Sequence, residues 1–213
     1  AKVQRYPVRL IYENTGSRGG ACNVGAQIAH GKILVFTDAD CFFPSDWLMA
    51  IDGRFSADQA LATLGGLDVN VGNDTSIGKT KGVLEVFRRQ SLGQGTSAVF
   101  KIKGCNSAYR KDLFFLYGGF DASLTYGEDT ELPARIVSNG EKLVYDPNIW
   151  VKHFRHEKTF RTLTRAVKNT RGSVRMLFRK HVWRLAIRER WSAVFTSYLI
   201  LFGSVLTLIV LAF

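Results

Sequence analysis

Asp38 and Asp40 stand one residue apart at the end of a continuous apolar run, Lys32 to Thr37 (KILVFT). A run of that kind is what a strand buried on both faces requires. In open α/β sheets the carboxyl ends of such strands form the edge at which ligands bind. Two carboxylates this close are costly unless something positive joins them. Hard divalent cations prefer carboxylate and phosphate oxygens, and Mg²⁺ is usually held by one or two carboxylates plus substrate phosphates. The pattern therefore points to a divalent cation, Mn²⁺ or Mg²⁺, bound with a diphosphate. A second acid-rich stretch, Gly127-Glu128-Asp129 followed by Glu131, opens a helical pattern. Acids at that position complement the helix dipole. A carboxylate beside a metal-bound donor also suits the acceptance of a proton from an attacking hydroxyl. On the residues alone both readings of the second stretch stand.

The elements that must position these acids alternate between strand and helix. Val8 to Tyr12 (VRLIY) reads as a strand, the Gly-rich NTGSRGG as a loop, and ACNVGAQIAH as a helix that Gly31 ends. With KILVFT next, two strands joined through a helix imply a parallel pair. Pro44-Ser45 opens a helix to about Phe55, and Ala60 to Val71 reads as a strand. Ile77 to Leu92 is helical by period, and Phe100 to Tyr109 reads as a strand entering a turn at Gly104. Lys111 to Tyr117 is a short helix closed by Gly118-Gly119. Glu128 to Ser138 is a helix stopped by Asn139-Gly140, and Leu143 to Tyr145 is a last short strand before Pro147.

The stretches NTGSRGGACNVGAQIAHGKILVFTDADCFFPSDWL, GCNSAYRKDLFFLYGGFD and YGEDTELPARIVSNGEKLVYDP, in this order and spacing, resemble the family 2 inverting glycosyltransferases of the GT-A fold. The resemblance covers most of residues 8–150. It implies a Rossmann-like α/β nucleotide-diphospho-sugar transferase domain with a mixed, mainly parallel sheet over residues 1–150, its first strand missing. It also implies that Asp38 and Ala39 meet the donor, that Asp38 and Asp40 meet the metal, and that Asp129 is the base with Glu128 beside it. By the same resemblance Arg18, Gly19, Gly20 and Asn23 approach the nucleotide, and Gly104, Cys105 and Asn106 form the loop under the donor sugar and acceptor. His153, after the last strand, is implied as a third metal ligand, with His156 as the weaker candidate. The QxxRW motif of processive polymer synthases is missing, which argues against a cellulose- or hyaluronan-type polymerase.

Charge and hydropathy divide the remainder. The 213 residues carry a net charge of +11, yet Lys152 to Arg190 holds thirteen Lys/Arg against Glu157 and Glu189, so the rest of the chain is close to neutral. In that tract Phe160, Leu163, Val167, Val174, Leu177 and Phe178 recur at helical spacing, with Arg161, Arg165, Lys168, Arg175 and Arg179 elsewhere around the helix. This predicts a basic amphipathic interfacial helix over 151–190, with an ordinary helix packed on the domain as the alternative. Trp191 to Phe213 has no charged residue, and about 20 apolar residues cross a ~30 Å hydrocarbon core. Residues 191–213 are therefore expected to be a transmembrane helix, a single span or the first of several. The basic tract beside it places the catalytic domain on the cytoplasmic face of the cell membrane, in contact with membrane lipids. No nucleic-acid recognition motif accompanies the charge. Cys22, Cys41 and Cys105 form no CxxC pair and suggest a reducing compartment.

The expected function is metal-dependent inverting transfer from a nucleotide-sugar donor, UDP- or GDP-linked, to a lipid-linked or envelope-glycan acceptor. Two other classes compete. A haloacid-dehalogenase-type phosphatase also places DxD after an apolar strand, but there Thr or Val usually follows two positions beyond the second Asp, whereas Cys41-Phe42 follows Asp40 here. A non-catalytic, membrane-tethered transferase-like binding protein is the other. The chain begins without Met, as a fragment would.

Overall fold

The computed structural model describes residues 8–14, 16–71, 102–154, 174–176, 178, 179 and 182–184. Within them α1 (Arg18–Ile28) leads to β1 (Ile33–Phe36) and β2 (Cys41–Phe42), then α2 (Trp47–Ala57) and β3 (Leu61–Val71). After residues 72–101 come β4 (Ser107–Arg110), α3 (Lys111–Leu116), α4 (Glu128–Ser138) and β5 (Lys142–Phe154). The strands form one sheet in the order β1-β4-β3-β5-β2. Strands β1, β3 and β5 run the same way. Because β4 runs against them between β1 and β3, and β2 runs against β5, only the β3–β5 ladder is parallel. The sheet is mixed as expected, with a smaller parallel share.

Both faces of the sheet are covered. On β4 the successive residues Ala108 and Tyr109 point to opposite sides and enter separate clusters. Trp47, Ile51 and Phe55 of α2 pack with Leu61, Leu64, Ile149 and Val151 on one side. Ala26 of α1, Phe114 of α3, and Leu132 and Ile136 of α4 pack with Leu34 and Phe120 on the other. Phe36, Tyr109, Phe114 and Phe120 meet there at ring-centroid distances of 5.0 to 5.9 Å, within the favoured range for aromatic pairs.

One irregularity shapes the site edge. The β3–β5 register jumps from Gly66↔Asp146 to Leu67↔Trp150, so Pro147, Asn148 and Ile149 bulge out of the ladder. Asn106 braces the bulge. Its Nδ2 donates to the carbonyls of Leu67 (2.9 Å) and Ile149 (3.0 Å), and its Oδ1 accepts from Trp47 Nε1 (3.1 Å). The Asn106 carbonyl accepts the Gly66 N–H (3.0 Å).

Three expectations change. Val8 to Tyr12 forms no strand in the described residues, and Val8, Leu10 and Tyr12 are exposed. Without a ladder beside it, a β-branched run has nothing to pack on, so the expected parallel pair with β1 does not form there. The last strand is not a short segment ending at Tyr145. It continues through the bulge to Phe154, because Asn106 takes up the carbonyl that the bulge exposes.

The third change concerns the basic tract. Met176 and Val182 are buried against Ala134 of α4, whereas Val174 is half exposed and Phe178 is 85% exposed. The face that buries is thus not the one carried by Val174 and Phe178, because contact with α4 selects it. Arg179 Nη2 lies 2.5 Å from Asp121 Oδ2 and 2.9 Å from Ser123 Oγ. This part of the tract packs on the domain. The expected helices at residues 77–92 and 191–213, most of the tract between 155 and 190, and His156 lie outside the described residues. Among the described residues no helix is long and apolar enough to cross a membrane.

Burial opposes the charge on Asp121, but hydrogen bonds from Ser123 and the charge of Arg179 outweigh it and hold the carboxyl below its usual pKa of 3.8. A depressed native pKa adds stability that is complete above the unfolded value and is lost as pH falls through the native one. The difference in Tm between the parent chain and Asp121→Asn is therefore expected to be full above about pH 5 and to shrink below about pH 4. A difference that stays constant down to pH 2 would contradict this.

Candidate active site

The carboxyl end of β1 runs into a tight turn in which the Cys41 N–H donates to the Asp38 carbonyl at 3.1 Å. The Phe154 N–H donates to the Asp40 carbonyl at 2.9 Å, and β2 pairs with β5 in the register Cys41↔His153. That register brings His153 beneath the turn, although 112 residues separate it from Cys41. Its Nε2 lies 3.0 Å from Asp40 Oδ1, and one ligand atom from each of Asp38, Asp40 and His153 falls within 4.8 Å of the others. Two carboxylates and an imidazole at this spacing fit a divalent cation.

Asp68 of β3, which belongs to no motif in the sequence, lies on the other side of the ring. Its buried carboxylate is 3.6 Å from His153 Nδ1. In metal-binding histidines a carboxylate hydrogen-bonded to the second nitrogen fixes ring orientation and tautomer, and Asp68 stands near that position at a longer, ion-pair distance. Alternation along the strand hides Asp68 in sequence, since Asp after Leu67 reads as an ordinary polar strand position.

Arg18, the first residue of α1, joins the two acidic motifs. Its Nη2 is 2.7 Å from Asp38 Oδ1 and its Nη1 is 3.1 Å from Glu128 Oε1. Burial opposes its charge, but the hydrogen bond and charge of Asp38, with smaller contributions from Cys22 and Glu128, raise its pKa further. Arg18 also lies against Gly104, where an added Cβ would stand 2.3 Å from Nη1. The Gly104 N–H in turn donates to Asp129 Oδ2 at 2.9 Å. One guanidinium thus gathers the DxD turn, the start of α4 and the Gly104 loop. Arg18 supplies Asp38 with a positive partner within the protein itself, and the His153 imidazole lies beside Asp40.

The acids at the start of α4 differ. Gly127 takes a left-handed conformation (φ 87°) just before the helix, and its carbonyl accepts the N–H groups of Thr130 and Glu131. Glu128 is buried, and burial followed by the charge of Asp129 raises its pKa, with Arg18 opposing. Asp129 is only half-buried. Glu131 is buried and pairs with Arg135 one turn along, so it belongs to the scaffold.

The other expected site residues are engaged with the protein itself. Gly19 packs against Phe120, where an added Cβ would come within 3.1 Å, and the Gly20 N–H caps α1 by donating to Ser17 Oγ. Asn23 donates to the Phe120 carbonyl (2.8 Å) and accepts from its N–H (2.9 Å), which pins the loop before α4. Cys105 and Asn106 are buried, and the Asn106 side chain braces the β3–β5 bulge. Ala39 is exposed at the tip of the DxD turn.

A mixed sheet with acids gathered at one edge defines a GT-A-like domain, and the family model for glycosyl transferase family 2 matches residues 1–116. The chain belongs to that family. It is similar to mouse N-acetylgalactosaminyltransferase 7, at 28% identity over 62% of this chain and 24% of that protein. The crystal structure of S. aureus TarS 1-349 superposes with a TM-score of 0.51 at 15% identity, covering 68% of this chain and 42% of TarS. The same TarS segment in complex with UDP-GlcNAc gives a TM-score of 0.51 at 14% identity, covering 70% and 42%. This chain spans about a quarter of the mouse relative and less than half of the TarS segment.

Proposed function

We propose that the chain carries the catalytic site of a metal-dependent inverting glycosyltransferase. It takes a sugar from a nucleotide-diphospho-sugar, UDP- or GDP-linked, and passes it to a lipid-linked or envelope-glycan acceptor at the cytoplasmic membrane face. The observation that carries the reading is the convergence of Asp38, Asp40 and His153 with Asp129 through Arg18 at one sheet edge. The UDP-GlcNAc complex of TarS, a protein of the same fold, supports a UDP-sugar as the donor. The basic tract and the uncharged 23-residue segment at 191–213 support the membrane location.

Asp38, Asp40 and His153 would hold a divalent cation, which supplies positive charge to the departing diphosphate. The chain's own groups do the rest. Asp129 Oδ1 accepts the proton of the acceptor hydroxyl while that oxygen attacks the anomeric carbon from the side opposite the nucleotide. Asp129 Oδ2, held by the Gly104 N–H, fixes the carboxylate's direction. Buried Glu128, held by the partly exposed Arg18, anchors the helix start.

Donor binding measured by calorimetry should therefore weaken about tenfold or more in excess chelator, and Asp40→Ala should lose that metal dependence, since even residues behind a ligand change metal affinity ~10–100-fold. Equal affinity with and without metal in the parent chain would refute the cation site. A panel of UDP- and GDP-sugars identifies the donor.

A further inference from the structure

Beside the carboxylate cluster lies a second set of ligand atoms. One each from Cys41, Cys105 and His153 fall within 4.8 Å of one another, with Cys105 and His153 buried and Cys41 half-buried. Around a tetrahedral ion with Zn–S of ~2.3 Å and Zn–N of ~2.0 Å, ligand atoms stand roughly 3.5–3.8 Å apart, so closure of the three side chains supplies three of the four positions and leaves the fourth to water. Two thiols and an imidazole select soft or borderline cations and disfavour Mn²⁺ and Mg²⁺. Cys41 and His153 are held opposite each other by the β2–β5 register, and the buried Asp68 carboxylate lies 3.6 Å from Nδ1.

We propose that Cys41, Cys105 and His153 form a site for a thiophilic divalent cation of the zinc type, which shares His153 with the carboxylate cluster. One imidazole nitrogen binds one ion at a time, so zinc held through Nε2, the nitrogen beside Asp40, removes a ligand from Mn²⁺ or Mg²⁺. That competition rests on the function proposed above. The thiol-bearing site does not.

Co²⁺ titrated anaerobically into the reduced, purified chain tests the site, because thiolate ligation produces a charge-transfer absorption that carboxylate ligation does not. The band should appear, vanish on adding Zn²⁺, and be lost in Cys41→Ser and in Cys105→Ser while persisting in Cys22→Ser and Asp38→Asn. Independently, Zn²⁺ but not Mg²⁺ should slow alkylation of Cys41 in the parent chain by at least tenfold, read by mass spectrometry. This arm does not depend on any variant folding. Absence of the band at saturating Co²⁺, its survival in the Cys41→Ser/Cys105→Ser double variant, or equal alkylation with both ions would overturn the site. If the band forms but nucleotide-sugar binds the zinc-free chain equally well with Mn²⁺ and in excess chelator, the transferase reading fails and the thiophilic site stands.

Discussion

Turnover of the Asp129→Asn variant should fall by ~10²–10⁴-fold, the usual cost of removing a general base, while donor affinity barely changes. The structure makes this substitution clean. An amide oxygen can still accept the Gly104 N–H that now reaches Asp129 Oδ2 at 2.9 Å, so the loop under the site keeps its hold. What is lost is the ability to take a proton. Glu128→Gln should cost less, because Glu128 is buried and already engaged by Arg18, whereas Asp129 is more open. Single-turnover transfer assays give the rates, and NMR of the product from a donor of known anomer gives the stereochemistry. Retention of configuration, or full turnover by Asp129→Asn, would refute the mechanism.

The largest expected effect on stability belongs to Gly66→Ala. A Cβ there would stand 2.2 Å from the Ile149 carbonyl oxygen and 2.4 Å from Asn106 Nδ2, and neither can move without opening the bulge. Overpacking of this kind costs about 3 kcal/mol or more, which for a chain of this size lowers Tm by roughly 6–12 °C. Gly25→Ala is the contrast, since nothing lies within 4 Å of a Cβ at that point in α1 and the change should add about 0.5–1 kcal/mol. Thermal unfolding of the two variants side by side reads both signs. Equal Tm values would mean that β3 and β5 do not approach as described.

Local chemistry was legible in the sequence wherever a pattern depended on neighbours along the chain. The helix at Glu128–Ser138 and the strand at Leu61–Val71 match the expected segments within a residue, because helical period and β-branched runs are short-range signals. The two acidic motifs were legible for the same reason. What the sequence hid depends on register. That Cys41 faces His153, that Asp68 backs the same ring, and that Arg18 reaches both acidic motifs all follow from strand pairing and from the placement of α1. Asn106 was legible as important but not as a brace, since its partners Leu67, Ile149 and Trp47 come from three separate elements.

The bridge made by Arg18 has an evolutionary corollary. Asp38 and Glu128 are 90 positions apart and share one cation, so neither acid can be replaced without changing what the other experiences. Loss of Asp38 leaves Glu128 as the remaining acid of the bridge, and loss of Glu128 leaves Arg18 to Asp38 alone. Residues that share a partner do not add in their effects, although the partial solvation of the guanidinium keeps the coupling modest. Epistasis between these two positions is therefore built into the fold, and a neutral change at one alters which changes at the other are tolerated.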